Sequence, residues 1–380
     1  MTNLFEDQSL KLNTGALMPA IALGMSAREE TPEEVKAYFR KALEIGYRHF
    51  DTASAYKTEP MMGEVLEDVL NSGTIKREEF FITTKLSPEQ THADDVIPSL
   101  RESLSNLRIE YVDLYLIHFP IRIKPGMKPS GARATIPEDA FLPLDLVGVW
   151  KALEQCVELG LTRAIGVSNF GSNLLGVITA DAKIIPAVNQ VEMHPGCLQP
   201  RLLDVCKQMG IKVMGFAALG RPKHSQEFTS IAVIDSPILK EIAEKHGKSV
   251  AQVALRWSLD HGVGVVVKSS NPSRMAQNLN VFGHTRKSTI AGRIEQENRI
   301  MKSVQLVNMQ TIVGFLLKEC SSQMTHFFNL NHKAAFCTER SPKLQQATTV
   351  DVSLSKELQV ECYMQDASKE TDRTCEELLD

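Results

Sequence analysis

A (β/α)8, or TIM, barrel with a separate extension behind it is the architecture this sequence predicts, on three observations. Eight short apolar runs, most of them followed by a helix-period segment, occupy the first 283 residues, close to the ~250 such a barrel needs. The runs are continuously apolar rather than alternating, as strands covered on both faces must be. No Gly-x-Gly-x-x-Gly follows the first of them, which sets aside an open doubly wound sheet: Gly24 leads into Met25-Ser26-Ala27-Arg28-Glu29-Glu30.

The elements follow in order. Residues 10–19, centred on Asn13-Thr14-Gly15, predict a β-hairpin ahead of the first barrel strand. The eight strands are expected over 20–24, 47–51, 80–85, 112–118, 162–168, 187–193, 212–216 and 263–268, each rich in Val, Ile or Phe or bounded by them. Val96, Ile97, Leu100, Leu104 and Leu107 recur at helical spacing, as do Val149, Trp150, Leu153, Cys156 and Val157, the second set closing at Gly160. Ser236-Pro237 opens a further helix with an N-cap and a proline at its first position, and Gly247 closes it.

A compositional seam falls near residue 283. Of 22 Gly and 17 Pro, only Gly292, Gly314 and Pro342 lie beyond it, together with Cys320, Cys337, Cys362 and Cys375 of the seven cysteines. The expected organisation is therefore a barrel over 1–283 and a divergent tail over 284–380, partly helical (289–307) or disordered. Tail cysteine spacings of 17, 25 and 13 match no zinc pattern, and no His-x-x-x-His or His-x-His nominates a metal. A formal charge of −4 argues against a general nucleic-acid binder. No apolar run reaches ~18 residues and the start is polar, so neither a membrane span nor a secretory signal is expected. An odd cysteine count without Cys-x-x-Cys points to free thiols in a reducing, cytoplasmic compartment, and a monomer is expected.

The chemistry lies at the strand ends. Asp51, Lys85, His118, Ser168-Asn169, Gln190, Phe216 and Lys268 each stand at or near the carboxyl end of an expected strand, positions that ring one mouth of a parallel barrel. Tyr56 follows five residues after Asp51. A phenol is a poor acid at neutral pH unless a cation favours its ionised form. Lys85, held by Asp51, is placed to lower the Tyr56 pKa, while His118 is placed to donate to a carbonyl oxygen. Such a set suits carbonyl reduction without a metal, with Tyr56 protonating oxygen and a nicotinamide giving hydride. Asn169 and Gln190 are placed for a carboxamide and Phe216 for a stacked ring. Lys268, Ser269 and Arg274, at a helix start, suit a phosphate on the adenosine ribose and so NADPH.

Those segments resemble the aldo-keto reductase superfamily. The resemblance rests on GYRHFDTASAY (46–56), the strand ending in Lys85, YVDLYLIHFP (111–120), AIGVSNF (164–170), PAVNQVEMHP (186–195) and VKSSNPSRMAQNLNVF (267–282), and covers roughly 8–283. The stretch 145–170, with 121–126 before it, is most similar to plant members of the chalcone (polyketide) reductase and codeinone-reductase-like kind. The resemblance implies a tetrad of Asp51, Tyr56, Lys85 and His118. It implies Ser168, Asn169, Gln190 and Phe216 at the nicotinamide, and Lys268, Ser269, Arg274, Gln277 and Asn278 at the adenosine 2′-phosphate and adenine. A small carbonyl compound is the implied partner, with Ser26 and Phe119 on the pocket wall. A catalytically weak NADPH-binding barrel in a regulatory or sensing role is the alternative. Departures from the family pattern are Phe216-Ala217-Ala218-Leu219-Gly220 for Tyr-Ser-Pro-Leu-Gly, Phe119 for Trp, Ser26 for a bulky Trp, Lys57 for Gly, and the whole tail.

Overall fold

The computed structural model describes residues 8–27, 30–127, 137–220 and 233–281. The expected tail over 284–380 lies outside the described residues. Two short strands, β1 (Ser9–Lys11) and β2 (Leu17–Pro19), pair antiparallel as the expected hairpin. Gly15 turns it with φ of 88°, a left-handed conformation that glycine adopts without steric cost. Eight further strands close into a parallel barrel: β3 (Ile21–Gly24), β4 (His49–Asp51), β5 (Phe81–Leu86), β6 (Leu114–Ile117), β9 (Ile165–Ser168), β10 (Val188–Glu192), β11 (Lys212–Phe216) and β12 (Gly264–Val267). Closure is made by β12 against β3, with Val265 opposite Ile21.

Every expected barrel strand is present, and several are shorter than the apolar run that announced them. The run 112–118 narrows to β6 because Val112 meets Thr162 only through an isolated bridge, while the Asp113 carboxylate accepts the backbone N–H of Ile82 and the Arg77 guanidinium. Between strands lie the helices. The first, α1 (Pro32–Ile45), starts with a reciprocal capping box between Thr31 and Glu34. Next come α2 (Glu59–Asn71) and α3 (Ala93–Leu107), which touch where a Cβ on Gly63 would sit 2.1 Å from the Asn106 carbonyl oxygen. The remainder are α4 (Leu146–Glu158), α5 (Ser172–Thr179), α6 (Pro200–Gln208), α7 (Pro237–His246), α8 (Val250–Asp260) and α9 (Pro272–Leu279). The Ser236 side chain accepts the Leu239 N–H and Gly247 ends α7 in the left-handed region, as expected.

Two features were not anticipated. A second antiparallel pair, β7 (Arg122–Ile123) and β8 (Phe141–Leu142), sits in the connection after β6. Two-residue strands are too short to show a period. The other is α8, whose sequence signal was available in the Ser249/Gln252 capping box.

The hairpin seals the amino-terminal end of the barrel. Leu12 and Met18 are buried in one apolar cluster with Ala22, Phe81, Leu114 and Val188, near the starts of β3, β5, β6 and β10. His49, at the start of β4, joins this floor. Its Nδ1 lies 2.8 Å from the Pro19 carbonyl and its Nε2 3.0 Å from the Thr83 hydroxyl. Burial lowers its pKa to about 4, so the ring is neutral: Nδ1–H donates to the carbonyl and Nε2 accepts from Thr83. With one end plugged, the polar carboxyl ends of the strands surround the open one.

Candidate active site

Asp51 ends β4 and Lys85 lies in β5, and both point into the barrel because inward positions alternate along each strand. Lys85 Nζ donates to Asp51 Oδ1 at 2.5 Å and to the Thr52 carbonyl at 2.9 Å, with both side chains buried. The second carboxylate oxygen of Asp51 accepts from Gln190 Nε2 at 2.7 Å, across the barrel from β10. Burial is the largest influence and works against the ammonium, but the charges and hydrogen bonds of Asp51 and Tyr56 together outweigh it and the Lys85 pKa is raised, so the lysine stays protonated.

A 3-10 turn (Ser54–Tyr56) follows β4 and carries Tyr56 over this pair. Ser54 donates its hydroxyl to the Lys85 carbonyl, tying the turn to β5. Lys85 Nζ lies 5.2 Å from the centre of the Tyr56 ring, and the phenol oxygen is 3.4 Å from His118 Nε2. The sequence led us to expect a lowered Tyr56 pKa. The structure corrects this: loss of water around the hydroxyl raises it, Lys85 pulls it down, and Asp51 by itself pushes it up. The phenol is therefore held as a proton carrier, and the part of Asp51 is to keep Lys85 charged.

His118, just beyond β6, is pushed well below the ordinary histidine pKa by burial and by Lys85, and is neutral. Its Nδ1 is buried without a hydrogen-bond partner. A bare lone pair costs less to bury than a bare N–H, which places the proton on Nε2, facing Tyr56. Phe119 stacks on the imidazole at 4.7 Å and 25° and is 39% exposed at the mouth. Ser26, half-buried after β3, lies in the adjoining strand connection.

Around the rim, Asn169 stands in the left-handed region with φ of 64°. Its Nδ2 donates to the His118 carbonyl (2.9 Å) and to Ser168 Oγ (3.1 Å), and its backbone N–H donates to the Gln190 carbonyl (2.9 Å). Both amide nitrogens, of Asn169 and Gln190, are thus engaged by protein, and the two side chains offer oxygens. Ser168 accepts from Asn169 and keeps its own O–H to give. One donor beside two acceptors matches a primary carboxamide, so this set fits a nicotinamide. Phe216 closes β11, half-buried.

The chain belongs to the aldo/keto reductase family. Residues 20–298 match the family described as "Aldo/keto reductase family". NADPH-dependent codeinone reductase 1-2 of Papaver somniferum is 46% identical over 275 residues, 72% of this chain and 84% of that protein. Deoxymugineic acid synthase 1 of Oryza sativa subsp. japonica is 42% identical over 267 residues, 70% of this chain and 82% of that protein. Among solved structures, a Bombyx mori aldo-keto reductase in complex with NADP superposes with a TM-score of 0.69 at 34% identity, covering 76% of this chain and 92% of that one.

As an aldo/keto reductase the chain has local peculiarities that the structure accounts for. Lys57, where the family pattern has Gly, sits at φ of 61° and points to solvent, so the turn keeps a glycine-like conformation on a lysine. Ala217, after Phe216, is also left-handed at φ of 50°. At the other rim, Lys268 follows β12 and Asn271 caps α9, its side chain accepting the Arg274 N–H. Arg274 Nε lies 3.4 Å from Ser269 Oγ, bringing guanidinium, hydroxyl and helix start together. Gln277 donates to Ser273 and is exposed, whereas Asn278 is buried. Tyr47, whose hydroxyl donates to the Met275 carbonyl, and Gln252, which donates to the carbonyls of Gln277 and Asn280, anchor α9. Sequence reasoning missed Glu30, whose carboxylate pairs with Lys268 Nζ at 3.0 Å. It gave no signal beyond being one of two adjacent glutamates after β3.

No described helix is long and apolar enough to cross a membrane.

Proposed function

We propose that this barrel reduces an aldehyde or ketone to an alcohol with NADPH, Tyr56 giving the proton to oxygen. The observation that carries the reading is the Tyr56 hydroxyl, poised between His118 Nε2 and the buried Lys85–Asp51 pair. Bound at this mouth, the reduced nicotinamide supplies a hydride to the carbonyl carbon. Ser168, Asn169 and Gln190 would hold its carboxamide, with Phe216 beside its ring. Lys268, Ser269 and Arg274 would hold the 2′-phosphate, with Gln277 and Asn278 toward adenine.

With His118 Nε2 and the Tyr56 oxygen 3.4 Å apart, both groups can reach one carbonyl oxygen and orient it before reaction. As negative charge grows on that oxygen, the Tyr56 O–H bond breaks and a new O–H bond forms on the substrate. A raised phenol pKa does not forbid the step, because an alkoxide is a far stronger base than a phenolate. The phenolate left behind is stabilised by the Lys85 ammonium, and solvent at the open mouth returns its proton. Ser26 and Phe119 are walls for the substrate. We further propose a monomer in the cytoplasm without a nucleic-acid partner, in keeping with the charge of −4. The regulatory alternative has no support among the relatives named above.

NADPH oxidation with a panel of aldehydes and ketones tests the reading. Tyr56→Phe is expected to lower kcat about 10²- to 10⁴-fold while cofactor affinity stays unchanged. Equal rates in the two proteins would overturn the assignment of the acid.

A further inference from the structure

Lys268 is already matched before any phosphate reaches it. Its ammonium is 3.0 Å from Glu30 Oε1 and lies over the Tyr38 ring, 3.8 Å from the ring centre. Glu30 and Lys268 are 25% and 31% exposed, so the pair sits partly out of water at the seam where β12 closes against β3. Tyr38 belongs to α1 and is buried, with its hydroxyl directed to the Met25 carbonyl at 3.5 Å. Lys268, on the β12 side of the seam, is thereby pinned by two groups from the β3 side, the connection after β3 and α1. A phosphate monoester arriving at Lys268, Ser269 and Arg274 brings about −1.5 to −2 charges beside a carboxylate that holds the same ammonium.

We propose that Glu30 is a specificity-determining residue: it competes with the ribose 2′-phosphate for Lys268 and so narrows the preference for the phosphorylated over the unphosphorylated dinucleotide. The inference rests on the NADPH reading above. The competition is reciprocal, as any coupling of two ligands through one group must be. A phosphate that takes Lys268 gives up what the Glu30 pair contributed, and a phosphate that shares it works against the carboxylate. A ribose 2′-hydroxyl brings no charge, so NADH is spared either cost. Tyr38 opposes the effect in part, since a ring face keeps the ammonium near its place when the carboxylate lets go.

Calorimetric binding of adenosine 2′,5′-bisphosphate and of 5′-AMP to the full chain isolates this end of the site, with NADPH and NADH measured alongside by quenching of tryptophan fluorescence. Glu30→Gln keeps the size of the side chain and removes its charge. It is expected to tighten the bisphosphate and NADPH about two- to fivefold, the worth of a partly exposed ion pair, and to leave 5′-AMP and NADH unchanged. In a Lys268→Met background the same substitution should yield no such gain. Unchanged or weaker bisphosphate binding in Glu30→Gln overturns the proposal. So does a gain of the same size without Lys268, which would make the effect a general field rather than competition for one ammonium. The two readings fail separately: if Lys268→Met weakens the bisphosphate and 5′-AMP alike, the phosphate assignment falls. If it weakens only the bisphosphate while Glu30→Gln does nothing, the role of Glu30 alone falls.

Discussion

His49 at the floor of the barrel and His118 at its mouth are handled in opposite ways. At the floor, His49 is buried and both ring nitrogens are engaged, by Pro19 and Thr83. At the mouth, His118 is buried too, yet Nδ1 has no partner and Nε2 faces only a phenol at 3.4 Å. Burial makes both rings neutral. The floor uses neutrality to close a seam; the mouth uses it to keep one N–H available. Asp51 stands two residues from His49 on the same strand and is fully bonded as well, by Lys85 and Gln190, so at the mouth the open capacity lies with His118 rather than with β4. For these two rings, unspent hydrogen-bonding capacity rather than polarity separates the reactive histidine from the structural one.

The strongest way to break that contrast is to leave a buried charge alone at the mouth. Asp51→Ala strands the Lys85 ammonium, and a loss of about 3–5 kcal/mol in unfolding free energy is expected from denaturant titration. Adding Lys85→Met should return part of that loss, because the orphan charge goes with it. If the double substitution is as unstable as the sum of the singles, the ion pair is not what matters there.

At the floor the test is acid. Because the folded His49 pKa is depressed to about 4 from an ordinary 6.5, the unfolded chain binds more protons between those values, and stability falls as pH drops through that window. Between pH 7 and pH 5 this group alone should remove about 2 kcal/mol. That share should vanish from the pH dependence of unfolding in His49→Gln; an identical pH slope in both proteins would contradict the neutral, fully bonded ring.

The smallest effect concerns Lys57. A left-handed lysine costs about 1–2 kcal/mol, and glycine returns some of that to the unfolded chain as entropy. Lys57→Gly is expected to gain about 0.5–1 kcal/mol, read as a rise in Tm. No gain would mean that the turn is set by Ser54 and Tyr56 rather than strained at Lys57.

How legible this was in the sequence differs between the strands and the groups they carry. Apolar runs marked all eight barrel strands because a parallel sheet covered on both faces needs unbroken hydrophobicity, and turn chemistry marked the hairpin. Asp51, Lys85 and His118 were legible as a set because their spacings match successive strand ends, and Tyr56 because it follows the first of them by five residues. The sign of the Tyr56 shift was not, since it depends on how much water the folded mouth removes, a quantity no spacing encodes. Nor could a sequence show that Gln190 and Asn169 spend their amide nitrogens on protein, or that Glu30 reaches Lys268. Each is a contact between segments far apart in the chain. The β7–β8 pair is hidden for another reason: two residues leave no pattern to read.

The bond from Gln190 to Asp51 spans 139 positions and crosses the barrel interior. The earlier strands can bring Asp51, Tyr56, Lys85 and His118 together while the later half of the chain is still unplaced. Gln190 reaches the carboxylate only once β10 has docked, and the barrel is sealed only when β12 meets β3. Pairings of such long sequence separation carry a high loop-closure entropy and slow folding as a whole. The alignment of the acid thus depends on closure: Asp51, Lys85, Tyr56 and His118 come from the first half of the barrel, and the bond that orients Asp51 comes from the second.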